Sequence, residues 1–255
     1  MILTGNTILI TGGGTGIGRG LAESLQALGN QVIISGRRQS ALDETIAANP
    51  GMKSITVDMQ DPTSIAAIAA RVTSEFPALN VLINNAGIMR PEKLLAQQSD
   101  LADAEAIVAT NLLGPIRLTA ALLPHLQKQP TAAIMNVSSG LAFVPLALTP
   151  TYCATKAGIH SYTQSLRYQL RKTKIEVLEL IPPYVATHLM SGADDPRAMP
   201  LDKFIAEVMQ ILKQQPTPPE ICVENVKGLC FAAETGKYDA IFNGMNAAMA
   251  DHAGV

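Results

Sequence analysis

Two residues of one predicted helix, Tyr152 and Lys156, have the types and the spacing for acid–base chemistry. A separation of four residues places both side chains on one helix face, about one turn apart. A tyrosine can supply the proton that a carbonyl group must gain when it accepts a hydride, although its ordinary pKa near ~10 makes it slow at neutral pH. A neighbouring ammonium lowers a phenol pKa, so we interpret Tyr152 as an acid/base and Lys156 as its electrostatic partner. The pattern Y-x-x-x-K is also common on amphipathic helix surfaces, so the pair alone is not specific.

A glycine-rich segment follows the first predicted strand, where residues 11–18 read T-G-G-G-T-G-I-G and open a helix. A pair of phosphates needs backbone N–H groups within reach, and a side chain at Gly12 or Gly16 would keep the phosphates away. The helix N-terminus adds the positive end of its dipole, and Gly18 allows the helix to pack closely on the strand. In this strand–turn–helix context the segment predicts a dinucleotide site. The alternative is a flexible turn without a ligand.

The second predicted strand ends in Ser35-Gly36-Arg37-Arg38, with no acidic residue. Folds that select NAD place Asp or Glu at this point, whereas NADP sites use Arg for the 2′-phosphate. A guanidinium can bind that phosphate in a fork, and a carboxylate would repel it. The segment therefore predicts a preference for NADP(H), with NAD(H) possible. The alternative is a loop with two solvated arginines.

The composition bounds the class of protein. The chain has 255 residues, which fits a single domain over residues 1–255, and a net charge of −2, which leaves no basic field for nucleic acid or an anionic membrane. Charged residues make up only 16% of the chain against about 25% on average, which indicates extensive buried surface, some of it between subunits. Cys153, Cys222 and Cys230 are too few and too scattered for a disulfide framework or a zinc site, so we predict no metal. We see no secretory signal and no run of ~18 uncharged apolar residues, so we expect a cytoplasmic protein without a membrane span.

Short apolar runs alternate with segments of helical period along the whole chain. The predicted strands are residues 7–11, 31–35, 53–58, 81–83, 132–137, 175–181 and 238–242. The predicted helices are residues 17–28, 40–48, one opened by Asp61-Pro62, 99–128, 151–171, 201–213 and 219–233. This alternation predicts an α/β fold of the doubly wound, Rossmann type, with a mostly parallel seven-stranded sheet and helices on both faces. Ligands of such sheets bind beyond the carboxyl ends of the strands.

Several motifs occur in order on these elements. They are G-x-x-x-G-x-G from Gly12 to Gly18, N-N-A-G at residues 84–87, and Y-x-x-x-K with Ser139 located 13 residues before Tyr152. In these motifs the sequence resembles the short-chain dehydrogenase/reductase family from residue 7 to about residue 242. The residues around Arg37 and the variant Pro182-Pro183 are similar to an offshoot of that family, named after a dehydrogenase of a D-alanylation operon.

The resemblance implies roles for two further residues. Ser139 would hydrogen-bond the substrate carbonyl, with the adjacent Ser138 as its rival. Asn111 would hold a water in a proton relay behind Lys156, which would itself hold the nicotinamide ribose. The alternatives are a Ser-Ser-Gly turn for the serines and, for Asn111, a solvated helix asparagine, which is the interpretation that the residues alone favour. The predicted catalytic set is Asn111, Ser139, Tyr152 and Lys156.

The resemblance also implies cofactor contacts. Asp58 would contact the adenine, its alternative being an acid at a helix N-terminus. Residues 182–187 (PPYVAT) resemble P-G-x-V-x-T, in which Val185 and Thr187 would contact the carboxamide, although Pro183 replaces the usual glycine. The predicted cofactor-binding residues are Gly12, Gly14, Thr15, Gly16, Ile17, Arg37, Arg38, Asp58, Met59, Asn85, Ala86, Gly87, Tyr152, Lys156, Val185 and Thr187.

The resemblance implies an NADP(H)-dependent carbonyl reductase or alcohol dehydrogenase, acting on a small or hydrophobic carbonyl compound or secondary alcohol as a homodimer or homotetramer. Two segments would frame the substrate, the apolar residues 141–150 and a lid at about residues 188–203. The alternative is that the apolar residues of these segments pack under the lid or against another subunit and do not contact substrate. A cofactor-sensing regulatory protein without turnover is the alternative function. A methyltransferase is disfavoured because the phosphate turn and Y-x-x-x-K would have no role in it.

Overall fold

The computed structural model describes residues 1–94, 101–190 and 195–253 and shows one sheet of seven strands, all parallel. The strand order is β3-β2-β1-β4-β5-β6-β7. The strands are β1 (Thr7–Thr11), β2 (Gln31–Gly36), β3 (Lys53–Thr56), β4 (Leu79–Asn84), β5 (Ala132–Val137), β6 (Ile175–Ile181) and β7 (Glu220–Cys222). The predicted doubly wound α/β fold is confirmed, and the sheet is wholly parallel rather than mostly so.

The described ranges contain nine α-helices. They are α1 (Gly16–Ala27), α2 (Gln39–Ala48), α3 (Pro62–Glu75), α4 (Ala102–Val108), α5 (Gly114–Leu126), α6 (Pro150–Leu170), α7 (Leu201–Leu212), α8 (Glu224–Cys230) and α9 (Tyr238–Ala253). A π-helical turn, Ala109–Leu113, joins α4 to α5. Asp61 begins α3 as predicted, since its carboxylate accepts a hydrogen bond of 2.8 Å from the backbone N–H of Thr63.

The helices cover both faces of the sheet because the strands are apolar on both sides. Ile8 and Ile10 of β1 belong to a core cluster that includes Leu21 of α1 and Phe204 of α7. Leu9 lies between them in sequence and belongs to the opposite cluster, with Leu118 and Leu122 of α5. Side chains of a strand alternate between faces, so one continuous apolar run contributes to two cores.

The strand order reverses between β1 and β4, which is where parallel sheets of this type bind their ligands. The carboxyl ends of β1, β2 and β4 bring three predicted segments to one edge of the sheet. These segments are the glycine turn, the Arg37-Arg38 pair and the N-N-A-G motif.

The continuous helical segment Ala102–Leu126 has the length and apolar composition of a membrane span. Leu118, Leu122 and Leu126 of this segment are buried, and they pack in the core cluster of the α5 face. Core helices of this kind pass the same test, so the segment is weak evidence for a membrane span.

Two predictions about the last third of the chain are wrong. Residues 238–242, predicted as the seventh strand, begin α9, and the seventh strand is Glu220–Cys222, inside the predicted helix 219–233. The apolar pair Ile241-Phe242 suggested a strand, but Ile241, Met245 and Met249 recur every four residues, which is a helical spacing. Ile221 is fully buried, and such a short buried strand has no periodicity of its own to predict it.

Parts of two other predictions lie outside the described residues. These are the start of the predicted helix 99–128, at Ser99 and Asp100, and residues 191–194 of the predicted lid. The end of that lid, residues 201–203, is the first turn of α7.

Candidate active site

The segment from Gly12 to Gly18 runs from the end of β1 into the first turn of α1, and both of its ends require glycine. Gly12 has a φ of 67°, and a Cβ built on it would lie 2.9 Å from the Cα of Ala86. A Cβ on Gly18 would overlap the carbonyl oxygen of Gly12 and the Nδ2 of Asn85. The Asn85 amide donates hydrogen bonds to the carbonyls of Thr11, at 2.9 Å, and Gly12, at 3.2 Å. The Asn85 side chain of the N-N-A-G segment therefore holds the backbone of the glycine turn in place. A side chain at Gly12 or Gly18 would displace these contacts.

Replacing Gly18 with alanine tests this packing. We expect Gly18→Ala to lower the free energy of unfolding by on the order of 2 kcal/mol, because the new methyl group must push away a backbone carbonyl. Gly228→Ala is the matched control, since that position lies inside α8 with open space around it. Because a helical glycine costs roughly 0.5–1 kcal/mol relative to alanine, the control is expected to be neutral or slightly more stable. Thermal melts of both variants measure the difference, and equal melting temperatures would contradict the close packing.

A cleft of about 380 Å³ opens above the glycine turn. Its lining comes from the ends of β1, β2, β3 and β4 and from the π-helical turn, as the switch-point rule predicts. It includes nine of the predicted cofactor positions: Gly12, Gly14, Thr15, Arg37, Arg38, Asp58, Met59, Ala86 and Gly87. Thr15 precedes α1 and makes no side-chain cap hydrogen bond, so its hydroxyl does not occupy the N–H groups of the first helical turn.

The outer end of the cleft carries the two arginines. Arg37 and Arg38 line the cleft at the end of β2, and Arg37 also borders a smaller recess beside Asp58 and Ser64. The carboxylate of Asp58 is fixed by a hydrogen bond, because its Oδ1 accepts from the backbone N–H of Gln60 at 2.9 Å. Two cations and a fixed carboxylate at one rim suit a phosphorylated ribose beside an adenine ring.

The other predicted cofactor residues do not line the cleft. A Cβ on Gly16 would lie 3.3 Å from the Cγ2 of Thr187, so this threonine faces the start of α1. Val185 is buried and pairs with Met199 in an isolated bridge, which ties the segment after β6 to the predicted lid. Ile17 packs against the core cluster of the α1 face.

Tyr152 and Lys156 lie together on the buried face of α6. The Nζ of Lys156 is 5.5 Å from the centroid of the Tyr152 ring and donates a hydrogen bond of 2.8 Å to the carbonyl of Val137. The Tyr152 phenol lies close enough to Ser139 for the serine side chain to lower the phenol pKa. The Ser138 hydroxyl is buried and has no partner among the described residues, so the geometry favours Ser139 over its rival.

Asn111 lies in the π-helical turn and is only 2% exposed, so the interpretation as a solvated helix asparagine is wrong. Its Oδ1 accepts from the N–H of Ile88 at 2.9 Å, and its Nδ2 donates to the carbonyl of Ile88 at 2.8 Å. A Cβ built on Gly87 would lie 3.4 Å from the Asn111 Oδ1 and 3.8 Å from the Lys156 Nζ. Asn111, Lys156 and the inner end of the cleft therefore meet at Gly87. Such π-helical turns are frequent at functional sites.

Burial governs the protonation of the two side chains. It raises the pKa of the Tyr152 phenol, and the nearby Ser139 side chain offsets only part of that rise. The predicted lowering by Lys156 is therefore not the dominant effect in this structure. Burial lowers the pKa of Lys156 to about 8, against the opposing attraction of Glu179. At neutral pH the phenol keeps its proton and can donate it.

The C-terminal helix contributes residues that the sequence analysis missed. Met245 and Met249 of α9 pack in the small apolar cluster that contains Tyr152 and Leu146. Asn246 fixes the helix there, since its Oδ1 accepts from the N–H of Ala147 at 2.6 Å and its Nδ2 donates to the carbonyl of Pro145 at 3.2 Å. The four-residue spacing of the two methionines was the available signal.

Three comparisons place this geometry among known proteins. The family model described as short chain dehydrogenase matches residues 6–198. The chain is 41% identical over 251 residues to "Uncharacterized oxidoreductase DltE" of Bacillus subtilis (strain 168), which covers 96% of this chain and 98% of that protein. A short-chain dehydrogenase from Streptomyces avermitilis has a similar structure, with a TM-score of 0.81, 24% identity, and coverage of 98% of this chain and 99% of that one. A short-chain dehydrogenase from Sphingobium yanoikuyae, solved in complex with NADPH, has a TM-score of 0.79 and 24% identity, and covers 93% of this chain and 95% of its own.

Proposed function

The chain belongs to the short-chain dehydrogenase/reductase family, and from this premise we propose that it transfers a hydride between NADP(H) and a carbonyl compound or secondary alcohol. It is an oxidoreductase similar to DltE of Bacillus subtilis, which belongs to the D-alanylation offshoot of the family. One observation carries the proposal. Tyr152, Ser139 and Lys156 meet beside the inner end of a cleft whose outer rim carries Arg37 and Arg38.

The buried side chains supply the proton chemistry of the reduction. Ser139 and Tyr152 hydrogen-bond the carbonyl oxygen, and the Tyr152 hydroxyl gives its proton to that oxygen as the carbonyl carbon gains the hydride. The nicotinamide, when bound, supplies the hydride, and its oxidised ring adds a positive charge that lowers the phenol pKa. Lys156 would hold the ribose of the bound cofactor, and its ammonium lies near the phenolate that remains on Tyr152. The reverse reaction returns the proton from the alcohol to Tyr152.

The rim of the cleft supports NADP(H) as the preferred cofactor. Arg37 and Arg38 are the charged residues at the end of β2, where an acid would select NAD. The structurally similar protein from Sphingobium yanoikuyae binds NADPH. NAD(H) stays possible, because Asp58 and the glycine turn suit the parts that both dinucleotides share.

The wall beside Tyr152 supports a small or hydrophobic carbonyl substrate. Leu146 belongs to the same apolar cluster as Tyr152, Met245 and Met249 pack against that cluster, and the methionines can adapt to the shape of a ligand. The test is to incubate the purified protein with NADPH and a panel of ketones and aldehydes, charged and apolar, and to follow NADPH oxidation. Turnover restricted to apolar compounds is expected. NADPH binding without oxidation by any compound would favour a cofactor-sensing protein.

The pH dependence of the reduction follows from the two buried groups. Tyr152 has a raised pKa and keeps its proton throughout the neutral range, whereas Lys156, with a pKa lowered to about 8, loses its charge above that pH. We expect kcat/KM for carbonyl reduction to be level between about pH 6 and 7.5 and to fall above about pH 8. Rates measured at saturating NADPH across this range test it. A rate that rises steadily with pH would contradict a protonated phenol as the acid.

We also propose that the protein is a homodimer or homotetramer in the cytoplasm, with no nucleic acid or membrane partner. The support is the family and the low share of charged residues, 16%. Light scattering on micromolar protein measures the assembly, and a monomer would contradict it. Recovery of the protein with the membrane fraction of disrupted cells would contradict the location.

A further inference from the structure

Two charged side chains are buried within the described part of the chain, and they have opposite signs. Lys156 is 5% exposed and Glu179 is fully buried, whereas the described Asp, Arg and other Lys and Glu residues all have greater exposure. A buried charge is costly unless an opposite charge compensates it. The hydride-transfer chemistry uses Lys156 but assigns nothing to Glu179.

The fold places Glu179 in the buried region that also holds the lysine. The Lys156 ammonium donates to the carbonyl of Val137 on β5, and Val137 pairs in register with Leu180, the residue after Glu179 on β6. His160 lies one turn beyond Lys156 on α6. Its Nδ1 is 2.9 Å from both carboxylate oxygens of Glu179, so the imidazole fixes the carboxylate against the same helix.

We propose that Glu179, held by His160, is a positioning residue that acts as the counter-ion of Lys156 and keeps the lysine charged. The proposal rests on the hydride-transfer function, because Lys156 needs its charge only if it supports Tyr152 and the cofactor. The attraction of Glu179 opposes the effect of burial on the pKa of Lys156, in the direction that this role requires.

The other titratable groups around Glu179 and Lys156 do not supply the counter-charge in place of Glu179. Around His160, Glu220 on β7 is partly exposed and lies 3.9 Å from the Nη1 of Arg167 on α6. Cys222 on β7 and Cys230 on α8 are partly buried free thiols.

On the Lys156 side, the phenol of Tyr152 stays neutral because burial raises its pKa. Phe143, from the turn after β5, covers the His160 ring at 4.7 Å between centroids. Glu179 raises the pKa of His160, so His160 holds its proton to higher pH than a free imidazole does and shares the carboxylate while it is charged. Once His160 is neutral, the carboxylate is available to Lys156.

The pH profile of carbonyl reduction tests the counter-ion role. We expect Glu179→Gln to move the alkaline fall in kcat/KM to lower pH by at least about one unit, since an adjacent opposite charge shifts a pKa by roughly one to three units. Glu220→Gln, at the register partner of Glu179 on the next strand, is the matched control and should leave the fall within about 0.3 units of wild type. An unshifted profile in Glu179→Gln would overturn the proposal.

A second measurement does not need activity. Lys156→Met, Glu179→Gln and the double variant form a thermodynamic cycle on the melting temperature. We expect Glu179→Gln alone to lose at least roughly 5 °C, since it leaves a buried ammonium unpaired, and the double variant to regain most of that loss. Additive losses would overturn the charge pairing, even if the hydride-transfer function holds. Recovery in this cycle together with an active Lys156→Met enzyme would refute the function of Lys156 and leave the pairing intact.

His160, Glu179 and Glu220 also place possible metal-ligand atoms within 4.8 Å of one another. The competing use of this cluster is a divalent cation site. Melting wild type with added Zn²⁺ and with a chelator separates the two. Unchanged melting temperatures are expected, and a shift of several degrees that is lost in Glu220→Gln would overturn the counter-ion role.

Discussion

Tyr152→Phe is expected to lower kcat for carbonyl reduction by about 10²–10⁴-fold, because it removes the proton donor and little else. The Tyr152 ring is buried among Leu146, Cys153 and Ile107, and phenylalanine retains that packing. NADPH affinity should change by no more than a few-fold, because the ring does not line the part of the cleft that carries the arginines. Steady-state rates and cofactor titrations measure both quantities.

Tyr162→Phe provides the comparison for this change. Tyr162 lies on the same helix, α6, and packs half-buried against the core on the α5 face, away from Ser139 and Lys156. Its variant should reduce carbonyls at the wild-type rate. If Tyr152→Phe also stays within a few-fold of wild type, Tyr152 is not the acid.

Arg37→Asp is expected to weaken NADPH binding by roughly 10–100-fold and NADH binding by less than about threefold. A hydrogen bond to a charged group contributes about 1.5–3 kcal/mol, and about 1.4 kcal/mol corresponds to a factor of ten. The new carboxylate would also repel the 2′-phosphate while suiting a free 2′-hydroxyl. Dissociation constants for the two reduced cofactors, measured by their fluorescence, give the ratio directly.

Arg71→Asp makes the same change of charge on α3, where Arg71 forms an exposed pair with Glu75. This variant controls for the change in the overall electrostatic field of the protein. It should leave the ratio of NADPH affinity to NADH affinity unchanged. Equal losses of NADPH and NADH binding in Arg37→Asp would refute a contact with the 2′-phosphate.

The sequence was sufficient to predict the regions in which backbone geometry dictates residue type. The turn from Gly12 to Gly18 cannot hold side chains at either end, so its glycines reveal the turn before any coordinates are known. The apolar run of β1 shows both faces of the sheet to be buried. Tyr152 and Lys156 are close because helical spacing alone requires it.

Features set by long-range contacts could not be predicted in this way. Glu179 is one of two acids in β6, with Glu176, and His160 is the one histidine of α6, so the sequence does not show that Glu179 and His160 pair. Their pairing emerges only when β6 packs under α6. The position of α9 beside Tyr152 depends on the two hydrogen bonds of Asn246 to a loop about a hundred residues away. No local pattern predicts the pairing of Glu179 with His160, and the spacing of the methionines predicts a helix but not its place beside Tyr152.

The pKa of the Tyr152 phenol shows another limit of prediction from sequence. Spacing predicts that an ammonium is near Tyr152, but it does not predict how completely both groups are removed from water. Tyr152 is 5% exposed and Lys156 is equally buried, so desolvation exceeds the attraction that the pattern Y-x-x-x-K suggests.

The most direct test of hydride transfer at this site uses NADPH that carries deuterium at the transferable position of its nicotinamide ring. Wild-type protein is incubated with the labelled cofactor and an apolar ketone accepted in the panel, and the alcohol is analysed by mass spectrometry. One deuterium on the carbinol carbon is expected from wild type, and almost none in the same time from Tyr152→Phe. Alcohol that forms without deuterium, or label transferred equally well by Tyr152→Phe, would contradict direct hydride transfer with Tyr152 as the proton donor.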